Sequence, residues 1–270
     1  MKPNEWGRFS DWQLVLPPNR PGSDVLKTIR SVLEGRPKPR RAAVLGSTSE
    51  YIDLLVRLGV HDLTCFDRSA DFNKISQTFR QYPDAEQLVL GDWLQTLATY
   101  RRSFDLVLSD FTLGNVNYEN QPNLMSLIAD SLTPGGLLID RVLTFRQKCH
   151  SYGSLVEYFA GEPSNLITLN AFNSMWLFCG QRVEENQRVD CAATYDWTLQ
   201  NFDQPHIRWL AQHCQQISPV HGVWHYGKPW SEVARYYFKS LDRVAEYSEE
   251  PTSPFHGWAY VIVSRPKDVR

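Results

Sequence analysis

Short apolar runs, each stopped by glycine or a polar residue, set the rhythm of the first half of the chain. Ala42-Ala43-Val44-Leu45 stops at Gly46 and Leu63-Thr64-Cys65-Phe66 at Asp67. Gln87-Leu88-Val89-Leu90 stops at Gly91-Asp92-Trp93, and Phe104-Asp105-Leu106-Val107-Leu108-Ser109 at Asp110. A fifth run covers 137–145. Between them lie stretches of helical period. Tyr51, Leu54, Leu55 and Leu58 share one face of a helix over 51–58. A polar helix is predicted over 70–81 and another over 123–131, followed by a tight turn at Thr133-Pro134-Gly135-Gly136. Runs this short, alternating with helices, predict βαβ units, a mostly parallel sheet and right-handed crossovers.

The flanks differ. Upstream, Pro17-Pro18-Asn19-Arg20-Pro21-Gly22 makes a rigid turn before a helix over 25–34, capped by Ser23 or Asp24. Beyond residue 150 the strand rhythm disappears. Residues 151–241 hold five of the nine Trp, and helices are predicted from Pro205 to the Ser218-Pro219 stop and from Ser231. The last two runs, 243–248 and 258–264, predict a β-hairpin whose second arm is apolar enough for a central strand. The organisation expected is a helical or extended segment (1–40), a cofactor-binding α/β domain (41–150 plus 242–270) and an aromatic-rich insertion (151–241) serving as lid or substrate subdomain.

Composition narrows the class. Lys plus Arg number 28 against 30 Asp plus Glu, a net charge of −2, so the strongly basic face of a nucleic-acid binder is not expected. No apolar run reaches the ~18–20 residues of a membrane span, and the start lacks a signal peptide's apolar stretch. Five cysteines without a C-x-x-C pair read as reduced thiols of a cytoplasmic protein. His221 and His225 are four apart, but Gly222, Gly227 and Pro229 argue against a helix there and no third ligand is evident, so no metal site is expected.

Open α/β sheets bind ligands at the carboxyl ends of their strands, which gives the run-ending residues meaning. Gly46 permits close backbone approach, and Ser47, Thr48 and Ser49 are small and polar ahead of a helix N-terminus. Asp67 lies 21 residues beyond Gly46 and is placed to accept from both ribose hydroxyls; its alternative role is an N-cap, with Ser69 as rival. Asp92 can accept from an exocyclic amine and Trp93 can stack on a purine, or the pair is a turn and a core Trp. Asp110 faces the place where a substrate would meet a cofactor, or is a solvated loop residue.

Together these ends resemble class I S-adenosylmethionine-dependent methyltransferases. The resemblance covers about 40–145 plus the terminal hairpin. It rests on Ala43-Val44-Leu45-Gly46-Ser47-Thr48 with Glu50, Cys65-Phe66-Asp67-Arg68-Ser69, Gly91-Asp92-Trp93, Phe104 to Asp110, and Leu132-Thr133-Pro134-Gly135-Gly136-Leu137. The first loop departs from the family by carrying one glycine. The resemblance implies a Rossmann-like α/β fold: a seven-stranded, mostly parallel sheet with a C-terminal antiparallel hairpin. Its cofactor would be S-adenosyl-L-methionine, with S-adenosyl-L-homocysteine as product. Gly46, Ser47 and Thr48 would lie against the methionine part, Asp67 on the ribose diol, Arg68 beside the adenosine, and Asp92 and Trp93 at the adenine. Asp110 and Phe111 would reach the methionine end and the substrate.

The function implied is in-line methyl transfer to a small organic acceptor, with Asp110 and Tyr118 as candidate catalytic residues and Asn115, Tyr118, Arg146 and His150 as candidate substrate contacts. No nucleic-acid or membrane partner is expected, and the oligomeric state is not readable. The insertion's aromatics either cage an amine or fill a second core. The alternative function is a protein of this fold that binds the cofactor or its product without transferring methyl. A nicotinamide oxidoreductase fits Asp67, but it lacks its G-x-G-x-x-G fingerprint.

Overall fold

The computed structural model describes residues 19–144, 152–178, 189–217 and 229–267. The five runs are parallel strands: β1 (Arg41–Leu45), β2 (Asp62–Asp67), β3 (Gln87–Leu90), β4 (Phe104–Asp110) and β5 (Leu132–Leu143). The terminal hairpin supplies β6 (Leu241–Ser248) and β7 (Ala259–Pro266), and the sheet order is β3-β2-β1-β4-β5-β7-β6. β7 runs antiparallel to both β5 and β6, and its first six residues are buried, as its apolar run predicts. The order reverses between β1 and β4, which makes their carboxyl ends the switch point where ligands bind in open sheets.

The helices form two layers. On one face α1 (Ser23–Leu33) and α2 (Ser49–Arg57) pack Val25, Ile29, Tyr51 and Leu55 onto Val44, Cys65, Leu108 and Val263. Short α3 (Ala70–Gln77) and α4 (Trp93–Thr96) follow β2 and β3. On the opposite face, α5 (Gln121–Ser131) and α10 (Trp230–Tyr237) cover Val107, Leu138, Val142 and Ile262. α3 ends four residues before its expected limit, as Thr78, Phe79 and Arg80 close the short i→i−3 bonds of a terminal turn.

The Pro-Gly-Gly turn is absorbed into β5. Phe104 pairs with Leu132 but Leu106 with Leu137, so β5 uses five residues where β4 uses two. A Cβ on Gly136 would sit 3.0 Å from the carbonyl oxygens of Phe104 and Thr133. Gly136→Ala is therefore expected to cost about 1–3 kcal/mol through overpacking, measured by urea denaturation; a loss below about 0.5 kcal/mol would show that the turn can shift.

Helices α6 (Tyr152–Ala160), α7 (Leu166–Phe178), α8 (Cys191–Asn201) and α9 (Pro205–Ile217) build a core of their own. Tyr152, Trp176, Trp197 and Phe202 pack within one another's reach, and Trp176 Nε1 donates to Thr198 Oγ1 at 2.7 Å. These aromatics are thus packing, not a cage. The core meets the sheet domain through Phe111, Phe255 and Trp258. α10, though inside 151–241, instead packs on α5.

Candidate functional site

Backbone bonds stitch the carboxyl ends of β1, β2 and β3 together. The Phe66 carbonyl accepts from Gly46 N at 2.8 Å and from Trp93 Nε1 at 2.9 Å, and Asp67 O accepts from Gly91 N at 2.8 Å. Gly46 has φ +88°, a left-handed conformation that favours glycine. The Trp93 ring lies against this glycine, 4.0 Å from where a Cβ would stand.

Asp67 is buried at the carboxyl end of β2. Its Oδ2 accepts from Ser47 N at 2.9 Å and Ser47 Oγ at 2.6 Å, and its Oδ1 from Ser69 N at 2.9 Å. Burial pushes its pKa up, and these bonds pull against that. Ser69, not Asp67, caps α3, by accepting from Phe72 N at 3.0 Å. Asp92 does two structural tasks: Oδ1 caps α4 through Leu94 N at 2.9 Å, and Oδ2 pairs with Arg68.

At the switch point the structure adds residues that the sequence reading left without a role. Glu50, in the first turn of α2, pairs with Arg20. Its other oxygen, Oε2, is buried without a protein partner, as is the hydroxyl of fully buried Tyr51. Arg141 in β5 anchors a further group. Its Nη2 lies 2.7 Å and its Nε 2.8 Å from Glu249 Oε1, its Nη1 lies 3.2 Å from Asp110 Oδ1, and it sits 4.2 Å over the Phe111 ring. Phe111 adopts φ +51°, rare without glycine, held by a 2.8 Å bond from its N–H to Arg141 O. The signal for Arg141 was present: Asp140-Arg141 interrupts an otherwise apolar strand.

The acids here titrate late. Burial pushes Asp110 up to about 7, with Arg141 offsetting only part of it and Glu50 and Glu249 adding to it. Burial also lifts Asp140 to about 6, against hydrogen bonds from Ser109 and Tyr237. Burial opposes the charge on Arg141, yet Asp110 and Glu249 together hold its pKa above the usual value. Between about pH 4 and pH 7 the native state keeps protons on Asp110 and Asp140 that the unfolded chain, with carboxylates near 4, has lost. Their contribution therefore makes stability fall as pH rises through that window. Urea midpoints at pH 5 and pH 7 measure it, and Asp110→Asn should flatten the slope.

Beside Phe111 opens a cavity of about 40 Å³, room for a few waters. The loop after β4 (Phe111 to Gly114), the end of β5 (Asp140 to Leu143) and α7 (Asn173, Ser174, Leu177, Phe178) line it. Thr112 Oγ1 is buried there without a partner, and Tyr195 OH donates to Asn173 Oδ1 at 2.6 Å. The expected substrate contacts fall differently. Asn115 turns back on Phe111 O at 3.4 Å, and neither it nor half-buried Tyr118 lines the cavity. Asp110 lies behind the cavity, against Arg141, rather than in its wall. Arg146, His150, His221 and His225 fall outside the described residues. Among the described residues no three His, Cys, Asp or Glu cluster as metal ligands, and no helix is long and apolar enough to cross a membrane.

A family model described as a methyltransferase domain matches residues 44–140, from β1 into β5. The chain has the class I S-adenosylmethionine-dependent methyltransferase fold. An S-adenosylmethionine dependent methyltransferase from Mesorhizobium loti superposes with TM-score 0.54 at 13% identity, covering 90% of this chain and 98% of that one. The N-methyltransferase NodS from Bradyrhizobium japonicum, solved with S-adenosyl-l-homocysteine, gives 0.50 at 12%, covering 98% and 96%. A Rhodobacter sphaeroides structure named a putative Zn-dependent alcohol dehydrogenase gives 0.60 at 13%, covering 98% and 97%. At such identities the likeness is one of fold. No curated protein sequence matches the chain significantly.

The methyltransferase fold implies S-adenosylmethionine, and the residues at the switch point suit it. Its amino-acid head carries an ammonium and a carboxylate beside a sulfonium cation. Here acidic and basic side chains, Glu50 and Asp110 with Arg20 and Arg141, stand around buried acceptor and hydroxyl atoms that lack protein partners. An unmet buried polar atom is costly, so the cluster is suited to a ligand of mixed charge.

Proposed function

We propose that the chain binds S-adenosylmethionine and transfers its methyl group to a small organic acceptor. The observation that carries this reading is the convergence of unpartnered Glu50 Oε2 and Tyr51 OH at the β1–β4 switch point. Gly46, Ser47 and Thr48 would border the methionine part, with Glu50 on its ammonium. Asp67 would hold the ribose through Oδ1, since Ser47 already takes two positions on Oδ2. Trp93 and Asp92 would flank the adenine, Arg68 the adenosine.

When bound, the cofactor supplies the activated methyl group, so the protein's work is alignment and exclusion of water. Phe111, held by Arg141, borders the cavity together with that residue and walls the transfer path. Asp110, which titrates near 7 and stands at the charged end, balances positive charge there rather than acting on the acceptor directly. Thr112, Asn173 and Ser174 give the acceptor a few polar contacts in a wall that is otherwise mostly apolar. That mix favours a compact, weakly charged organic molecule over a polymer.

The test is calorimetric titration with S-adenosylmethionine, S-adenosylhomocysteine and NAD in parallel. Micromolar binding of the first two without NAD supports the reading and opens a screen of small acceptors. Binding of neither would overturn it. Binding with no transfer to any acceptor would favour the second reading, a binder of this fold without methyl transfer, for which the single-glycine loop speaks.

A further inference from the structure

The loop after β1 carries a single glycine, Gly46, yet its conformation is over-determined from behind. Ser76 of α3 donates its hydroxyl to the carbonyl of Ser47. Arg80 directs that hydroxyl: its Nε and Nη2 lie 3.2 and 3.0 Å from Ser76 Oγ. With both Oγ lone pairs engaged by Arg80, the remaining hydrogen points at Ser47. Ser49 Oγ donates to Ser76 O at 3.1 Å, tying the start of α2 to the same residue. Arg80 is itself fixed by Asn73 Oδ1 at 3.0 Å and by an ion pair with Glu86 whose two side chains are 0% and 1% exposed. On the other side Asp67 holds Ser47 by both its N–H and its hydroxyl.

We infer that this buried Ser76–Arg80–Glu86 cluster is the positioning device of the cofactor loop, locking the Ser47–Ser49 backbone in its binding conformation. A buried ion pair is a poor source of stability, because desolvation consumes most of the attraction. Its benefit here lies in shape. A loop already fixed pays less ordering entropy when a ligand arrives. Ser47 is clamped at its N–H, side chain and carbonyl, so a change in α3 reaches the ligand site without touching the ligand. Ser76 and Arg80 are therefore positioning residues, and the inference rests on the cofactor reading above.

Affinity for S-adenosylhomocysteine and amide exchange of the ligand-free protein test it together. Ser76→Ala should raise Kd about tenfold and speed exchange at the amides of Ser47 to Ser49. Arg80→Lys, which keeps a charge for Glu86 but cannot reach Ser76 with two N–H groups, should fall between. Asp53→Ala is the control. It releases the segment that follows α3, where the Asp53 carboxylate accepts from Gln81 N and Tyr82 N at 3.0–3.1 Å, and should lower the unfolding midpoint while leaving Kd unchanged. Unchanged Kd and exchange in Ser76→Ala, or an equal loss of affinity in Asp53→Ala, would overturn the positioning role. If the wild type itself binds no S-adenosylhomocysteine, the cofactor reading falls, and the exchange measurement alone decides whether the cluster holds the loop.

Discussion

Arg141→Met is expected to destabilise the protein by about 3–5 kcal/mol, the cost of stranding buried charge by removing one partner. Arg141 is 1% exposed and stands between Asp110 and Glu249, whose side chains are 8% and 3% exposed. Methionine fills much of the same volume, so the loss reports charge rather than a cavity. Glu249 would keep its Ser253 partner, but Asp110 would lose its only described cation. Above about pH 7, where it is ionised, Asp110 would then have to take up a proton to stay buried, whereas at pH 5 it already carries one. The penalty should therefore be smaller at pH 5 than at pH 8. Urea denaturation of wild type and variant at the two pH values checks both statements. A loss under 1 kcal/mol, or one that grows in acid, would show that Asp110 and Glu249 are not held by this guanidinium. Phe111 depends on the same residue, through the ring contact and the bond to Arg141 O, so the variant should also loosen the cavity wall.

What could be read in advance, and what could not, divides by range along the chain. The inner parallel strands announce themselves, because a strand buried on both faces needs a continuous apolar run, and the run must stop where the chain turns to meet a ligand; β3, at the sheet edge, carries the same signal while only partly buried. Gly46, Asp67, Asp92 and Asp110 mark those stops, and the structure sets them at neighbouring strand ends. The Arg141–Glu249 bond spans 108 residues and joins a strand interior to the loop between the two arms of the hairpin. Nothing local encodes such a meeting beyond the oddity of charge inside an apolar strand. Asn115 and Tyr118 are expected at the substrate because they follow β4, and neither lines the cavity beside Phe111. The turn there bends instead, with Phe111 in the left-handed region and Gln121 Nε2 donating to Leu113 O and Val116 O, so α7 forms the far wall of the cavity. The insertion's aromatics gave a pattern compatible with either a cage or a core. For the described rings around Trp176 the answer is a core, which offers each ring a set of apolar neighbours.

Asp67→Ala should weaken S-adenosylhomocysteine binding by about 1–3 kcal/mol, roughly 5- to 150-fold. Two effects would contribute, and they can be separated. The first is indirect: the amides of Ser47 and Ser69 lose their acceptor, and the loop loses one of its two clamps. The second is direct, the lost hydrogen bond to the ribose. Ser47 loads Oδ2 with two donors, so only Oδ1 has room for a hydroxyl, and the ribose contact should be made through one oxygen. An analogue of S-adenosylhomocysteine without the 2′-hydroxyl, and one without the 3′-hydroxyl, resolve the two effects in a double-mutant cycle. Against wild type, one analogue should lose most of the discrimination and the other little. Against Asp67→Ala, neither deletion should matter further. If both analogues keep their penalties in the variant, Asp67 serves the loop alone. If both lose equally in the wild type, Ser47 must release Oδ2 on binding, and the loop is less fixed than its three-point clamp implies.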